Sequence, residues 1–98
     1  MPRRPEDRAE AVRIASRLGS RLRVLRASAG WTQDQLSERI GLTAEAYARI
    51  ERGRSLPSFP TLLRLCDRLN VGPDTLLVAA VDDAPPAPGA ELGRLAGS

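Results

Sequence analysis

Apolar residues recur at the helical period along most of the chain, and no segment alternates apolar and polar positions as a half-buried strand does. The clearest stripes are Leu18, Leu22 and Leu25 in one segment and Leu62, Leu65, Cys66 and Leu69 in another. Stripes of this width bury one side of a helix against other helices. The pattern therefore predicts an all-α protein.

Breaks in this pattern indicate where the helices begin and end. No proline lies within residues 6–56, and three glycines able to end helices divide that half: Gly30, Gly41 and Gly53. Hydroxyl residues that can cap a new helix follow them: Thr32, with Gln35 completing a capping box, Thr43 and Ser58. These signals predict five helices, near residues 20–29, 32–40, 43–51, 59–69 and 73–80.

Residues 18–80 form the predicted domain, and the two ends of the chain differ from it. Residues 1–17 form a basic arm that is either flexible or a backward extension of the first helix from about residue 7. Gly19 opposes the extension, since glycine costs roughly 1 kcal/mol inside a helix. Residues 81–98 are rich in Pro, Ala and Gly and too poor in large apolar side chains to order themselves, so we expect a disordered tail.

The charge is distributed unevenly along the chain. The net charge is +3, yet residues 1–30 carry eight Arg against three acidic residues, whereas residues 57–98 carry three against five. A basic end suits a polyanion such as nucleic acid, although an ordinary solvated helix face has the same composition.

Several classes of protein are excluded by what the chain lacks. It has no His and one cysteine, Cys66, so the usual zinc ligand sets and an internal disulfide are absent. No glycine-rich phosphate loop and no catalytic constellation occurs. The chain has neither a membrane-length apolar run nor an apolar stretch near Met1. We therefore expect a soluble cytoplasmic protein, not an enzyme, that needs no cofactor and does not contact a membrane.

The segment of residues 33–53 has the pattern helix, glycine turn, helix. Ser37 is small enough for a close helix crossing, and Gly41 permits the sharp bend that a helix-turn-helix needs. In the second helix the apolar positions Ala46, Tyr47 and Ile50 face inward. The opposite face then carries Ala44, Glu45, Ala48 and Arg49, and a DNA major groove admits a helix presented in this way.

Four motifs in residues 18–77 are typical of one family. They are Leu22-Arg23-x-Leu25-Arg26, Thr32-Gln33-x-x-Leu36, Tyr47-x-x-Ile50-Glu51-Arg52-Gly53 and Pro57-Ser58-x-x-Thr61-Leu62. With them the chain resembles the repressor/Cro-type, Xre-like helix-turn-helix regulators. The resemblance implies a five-helix bundle of the lambda-repressor-like DNA-binding type, whose third helix enters the major groove. The chain departs from the family at Ser37, where Ala is preferred, and at Ala48, where a polar residue is common.

The resemblance also implies site residues. Base contacts are assigned to Ala44, Glu45, Ala48 and Arg49, and phosphate contacts to Thr32, Gln33, Thr43, Arg52 and Arg54. Arg49 would bind guanine, Ala44 would touch a thymine methyl, and Glu45 would either accept from cytosine or repel phosphate. The simpler alternatives are an Arg49–Glu45 surface bridge, a first-turn polar role for Gln33, and helix-dipole complementation by Arg52 and Arg54.

Other polar and apolar positions are assigned to the fold. Arg26 and Glu51 are expected to form a partly buried ion pair between the first and third helices, as the resemblance implies. Trp31, Phe59 and Cys66 are expected in the core, because they lie at helix ends or on apolar stripes.

Two functions remain open for the chain. The first is a sequence-specific transcriptional regulator that binds double-stranded DNA as a homodimer on a palindromic operator. The second is a protein-interaction module, such as an antitoxin-like partner, for which DNA binding is secondary. The near-neutral charge of residues 31–56 keeps the second in view, and the arm and the tail are where a protein partner would bind.

Overall fold

A computed structural model describes residues 4–81, and within that range the chain forms five α-helices and no strand. They are α1 (Pro5–Ser28), α2 (Gln33–Arg39), α3 (Ala44–Glu51), α4 (Phe59–Leu69) and α5 (Pro73–Val81). The predicted all-α, five-helix architecture is confirmed. The predicted tail after Val81 lies outside the described residues. No helix between residues 4 and 81 combines the length and the apolar character that crossing a membrane requires.

Helix α1 is a single 24-residue helix, so the part of the arm from Pro5 onward is a helical extension. The helix crosses the predicted boundary at residue 18 without a break. Its start is favoured by Pro5 in the first turn and by Glu6 and Asp7 beside the positive helix end. The first helix therefore begins well before residue 20, where the apolar stripe alone placed it.

The predicted helix caps are confirmed. Thr32 accepts a hydrogen bond from the Gln35 amide at 3.1 Å, while the Gln35 side chain accepts one from the Thr32 amide at 2.9 Å. The Thr43 and Ser58 hydroxyls each accept a hydrogen bond from the amide three residues on, at the starts of α3 and α4. Each such cap contributes about 0.5–2 kcal/mol by satisfying amides at the helix start.

The core is built from buried residues of all five helices. Helix α1 packs against α5 and α3, α3 also packs against α2, and α4 packs against α5. The largest fully buried side chains are Tyr47, Leu22, Leu36, Ile40, Leu65 and Leu76.

Two of the three predicted additional core residues lie in or against the core, and one does not. Cys66 is buried, and Trp31 is half-buried against the core cluster. Phe59 was wrongly predicted to be buried, since 67% of its surface is exposed. Burial in α4 begins at Thr61, so the first turn of this helix, with Phe59, stands outside the core.

Helix α1 crosses the end of α3 at backbone contact distance. A Cβ atom on Gly19 would lie 2.4 Å from the Ile50 carbonyl oxygen and 2.5 Å from that of Glu51. In the loop after α3, a Cβ on Gly53 would lie 2.8 Å from the Ser16 Cα of α1, and Gly53 has a φ of +74°. Glycine is required at both positions because no side chain fits in the crossing. This crossing fixes where the end of α3 lies relative to α1.

Candidate nucleic-acid interface

Helices α2 and α3 are joined by a tight turn at Gly41, which has a φ of +77°. The Leu42 amide donates a hydrogen bond to the Ser37 carbonyl at 2.9 Å, which closes the end of α2. Ser37 is only 3% exposed, and its hydroxyl donates to the Asp34 carbonyl at 2.9 Å. Ser37 is therefore accommodated in the close contact where the family prefers Ala, because its hydroxyl is satisfied within its own helix.

The exposed face of α3 carries the polar residues that the sequence assigned to it. Glu45 and Arg49 are exposed, Ala44 is half-buried, and Thr43 is exposed at the helix start. Within residues 4–81 no ion pair joins Glu45 to Arg49. The Arg49 guanidinium is thus not held by the i, i+4 bridge that was its simpler alternative.

One predicted member of this face is corrected by the structure. Ala48 retains only 9% of its surface and belongs to the buried set. Helix α3 packs against both α1 and α2, so its buried arc is wider than a single apolar stripe. The prediction that Ala48 lies on the exposed face was therefore wrong.

Two exposed arginines follow the end of α3 in a loop of defined backbone. Arg52 caps the helix, and the Arg54 amide donates a hydrogen bond to the Arg49 carbonyl at 2.9 Å. In the described part of the chain neither guanidinium is in an ion pair. Thr32, at the start of α2, is likewise exposed.

Gln33 is engaged inside the protein. Its side-chain amide donates a hydrogen bond to Glu51 Oε1 at 2.9 Å, which links the start of α2 to the end of α3. A primary amide has two hydrogens, so one donor is used here and the other is left over. The sequence did not predict the contact with Glu51, because the two residues are eighteen positions apart.

Arg26 and Glu51 form the ion pair that the resemblance implied. Arg26 Nε donates to Glu51 Oε2 at 2.6 Å and Nη2 to Oε1 at 3.2 Å, while Nη1 donates to the Trp31 carbonyl at 2.8 Å. The side chains are 15% and 3% exposed. Together with Gln33, this network joins α1, the α1–α2 connection, α2 and α3, and so holds the exposed face of α3 in one orientation.

The network keeps Glu51 ionised. Burial alone would raise the pKa of this carboxyl, but the hydrogen bond from Arg26, the neighbouring Tyr47 hydroxyl and the hydrogen bond from Gln33 outweigh it. The pKa of Glu51 therefore lies below its ordinary value. The Tyr47 side chain is fully buried, and burial raises the pKa of its hydroxyl.

A second contact that the sequence analysis missed lies along α2. The Arg39 guanidinium stacks over the Trp31 ring, 4.3 Å from its centre, and covers a half-buried indole. A guanidinium over the face of a tryptophan ring, within about 6 Å of its centre, is a cation–π arrangement. The residues are eight positions apart, so no helical spacing pointed to the contact.

A short helix, a glycine turn and a second helix with an exposed polar face define a helix-turn-helix protein. The chain belongs to the helix-turn-helix domain family, whose model matches residues 17–79. This match confirms the kind of family that the four sequence motifs indicated.

Relatives and solved structures agree with this family. The chain is 36% identical over 59 residues to the uncharacterized, SPbeta prophage-derived HTH-type transcriptional regulator YonR of Bacillus subtilis, a match covering 60% of this chain and 55% of YonR. It is 34% identical over 58 residues to the regulator YazB of the same organism, covering 59% of this chain and 84% of YazB. The chain thus spans about half the length of YonR and most of YazB.

Two solved structures share the fold. The restriction-modification controller protein C.AhdI of Aeromonas hydrophila superposes with a TM-score of 0.60 at 32% identity, covering 63% of this chain and 94% of that one. The clp gene regulator ClgR of Corynebacterium glutamicum superposes with a TM-score of 0.67 at 28% identity, covering 86% of this chain and 87% of that one.

Proposed function

We propose that the protein is a sequence-specific DNA-binding transcriptional regulator that acts by occupying an operator, without catalysis or cofactor. The observation that carries the proposal is the exposed face of α3. Arg49 stands there without an ion pair among the described residues, while the Arg26–Glu51–Gln33 network fixes the helix behind it. The names of the relatives and of the two solved structures support the same function.

Base reading is assigned to three residues of α3. Arg49 donates two hydrogen bonds to the O6 and N7 atoms of a guanine, a pairing that its planar guanidinium matches. Glu45 lies one turn earlier, where it either accepts a hydrogen bond from a cytosine amine or repels a DNA phosphate. Ala44 offers a methyl contact to thymine.

Phosphate binding is assigned to residues at the two edges of that face. Thr32 and Thr43 lie at the starts of α2 and α3, and Arg52 and Arg54 follow α3. Gln33 offers its second amide hydrogen, with its orientation set by the bond to Glu51. Such contacts position a protein on DNA and carry no sequence information themselves.

We propose further that the protein is cytoplasmic and that it binds DNA as a symmetric dimer. One helix reads too few base pairs for specificity, and two-fold dimers place two recognition helices about 34 Å apart on one side of the duplex. Helices α4 and α5 leave large apolar side chains exposed, namely Phe59, Leu63, Leu77 and Val78. These residues would be buried between two copies.

Selection of bound sequences from a pool of random duplex DNA tests this function. We expect enrichment of a palindromic motif whose half-sites lie about one helical turn, or 10–10.5 base pairs, apart. Enrichment of an isolated half-site would retain DNA recognition and reject the dimer. A pool without any enriched motif would reject the regulator and favour the protein-interaction module.

A further inference from the structure

The N-terminal half of α1 carries exposed arginines along one side. With about 100° between successive residues, Arg8 and Val12 share that side, and Arg13 lies at its edge, about 100° from Val12. Arg4 precedes the helix as its N-cap. The acidic residues Glu6, Asp7 and Glu10 lie beyond Arg13 around the helix. A shallow open depression on the side with the arginines is lined by Arg4, Pro5, Arg8, Ala9, Val12 and Arg13. We call the side that holds Arg4, Arg8, Val12 and Arg13 the basic face of α1.

The basic face of α1 leads directly to the loop that follows α3. Ser16 lies one turn after Val12 and Arg13 on the same side of α1, and its Cα atom is the one that a Cβ on Gly53 would strike. Gly53 lies between Arg52 and Arg54, the two exposed arginines of that loop. The basic face is therefore continuous with the proposed phosphate-binding edge beside α3.

The arginines of this region differ in what holds them. Arg8 and Arg13 are exposed and are in no ion pair within residues 4–81, and Arg4 contacts Glu6 only at 3.8 Å in solvent. Arg17, in contrast, donates from Nη1 to the Ala80 carbonyl at 2.8 Å and ties α1 to the end of α5. Helix α1 thus presents the Arg8 and Arg13 guanidinium groups on one continuous helix.

We propose that the basic face of α1 binds the phosphates of duplex DNA that flanks the operator, on the side of α3 nearest its C-terminal end. The inference rests on the proposed function and adds a contact surface outside the helix-turn-helix itself. From Pro5 to Ser16 the helix rises about 16 Å. That length spans about five base pairs at 3.4 Å each. Because the arginines are already ordered on a helix, binding them costs less conformational entropy than ordering a flexible arm.

The salt dependence of binding tests this surface. For the full chain on its selected operator, the slope of log affinity against log salt should become shallower by up to about 0.9 for each of Arg8→Ala and Arg13→Ala. The same relation predicts about 30-fold weaker binding by the double variant at 0.15 M salt. Arg21→Ala is the control for net charge, because Arg21 lies about 140° from Arg8 around α1 and more than two turns beyond Arg13, and the change removes the same charge. We expect its slope to equal that of the original chain.

Shortening the DNA separates a contact with the flanks from a general effect of charge. Trimming the duplex to the selected motif should weaken binding by the original chain and by Arg21→Ala. It should leave the Arg8→Ala/Arg13→Ala double variant unaffected, since that variant has already lost the flanking contacts.

The remaining outcomes each reject the proposal. If the double variant keeps the original salt slope and still binds trimmed DNA more weakly, the basic face of α1 does not contact DNA. A change of oligomeric state in sedimentation, with the salt slope unchanged, would assign the face to a second copy of the chain. In both cases the selected motif would still stand, so the proposed function would survive. Absence of any motif in the selection would reject that function separately.

Discussion

Arg26→Ala and Glu51→Ala are each expected to lower the free energy of unfolding by about 3–5 kcal/mol, because each leaves a buried partner without its counter-charge. Of the two unpaired charges, that of Glu51 destabilises the fold more, because its side chain is only 3% exposed. Without Arg26, the Glu51 carboxylate keeps the hydrogen bond from Gln33 and the neighbouring Tyr47 hydroxyl but has no counter-charge. For a domain of this size the loss is a large share of a total stability of about 5–15 kcal/mol.

Urea unfolding of the two single variants and the double variant measures the coupling between Arg26 and Glu51. The double variant should lose less than the sum of the singles, since the second substitution removes a charge that the first has already orphaned. Asp67→Ala is the control, because Asp67 pairs with Arg68 at the surface, where such pairs contribute about 0–1 kcal/mol. Single losses that add, and that are no larger than the loss for Asp67→Ala, would contradict the structural role of the pair.

Gly19→Ala is expected to destabilise the protein, although Ala is the better helix former by about 1 kcal/mol. The added Cβ would lie within 2.4–2.5 Å of two backbone oxygens at the end of α3. Backbone atoms cannot rotate away, so α1 and α3 must separate. Overpacking of this kind costs about 1–3 kcal/mol, which exceeds the gain in helix propensity.

Ser20→Ala is the matched control for Gly19→Ala. Ser20 is the next residue of α1 and is exposed, so its replacement by Ala should stabilise the chain slightly through helix propensity alone. Urea unfolding should therefore shift in opposite directions for the two variants. If both variants become more stable, the close crossing of α1 and α3 is not a constraint on the fold.

Local signals explain how much of the fold could be predicted from the sequence. Glycines 30, 41 and 53 and the caps Thr32, Thr43 and Ser58 act within a few residues of themselves, and the helices start and end where these signals place them. Gly19 was different, because its role depends on its contact with Ile50 and Glu51 at the end of α3, far along the chain. Considered only within its own helix, Gly19 weakened the case for a continuous α1.

The exposed face of the candidate site was predictable only in part for the same reason. Helical periodicity placed Glu45 and Arg49 on the exposed face of α3, but it assumes that a helix has a single buried face. Ala48 is buried because α3 has two neighbours, α1 and α2. The contact of Gln33 with Glu51 also required knowledge of how α2 and α3 cross, which no spacing along the chain contains.

The central claim is that the exposed face of α3 reads bases through Arg49. The most direct test compares the affinities of the original chain, Arg49→Ala and Arg54→Ala for the selected operator and for a scrambled duplex at one salt concentration. Arg49→Ala should lose about 1–3 kcal/mol on the operator alone, whereas Arg54→Ala should weaken both duplexes alike. If Arg49→Ala weakens both duplexes equally, Arg49 contacts only the backbone and the account of base reading by this residue is wrong.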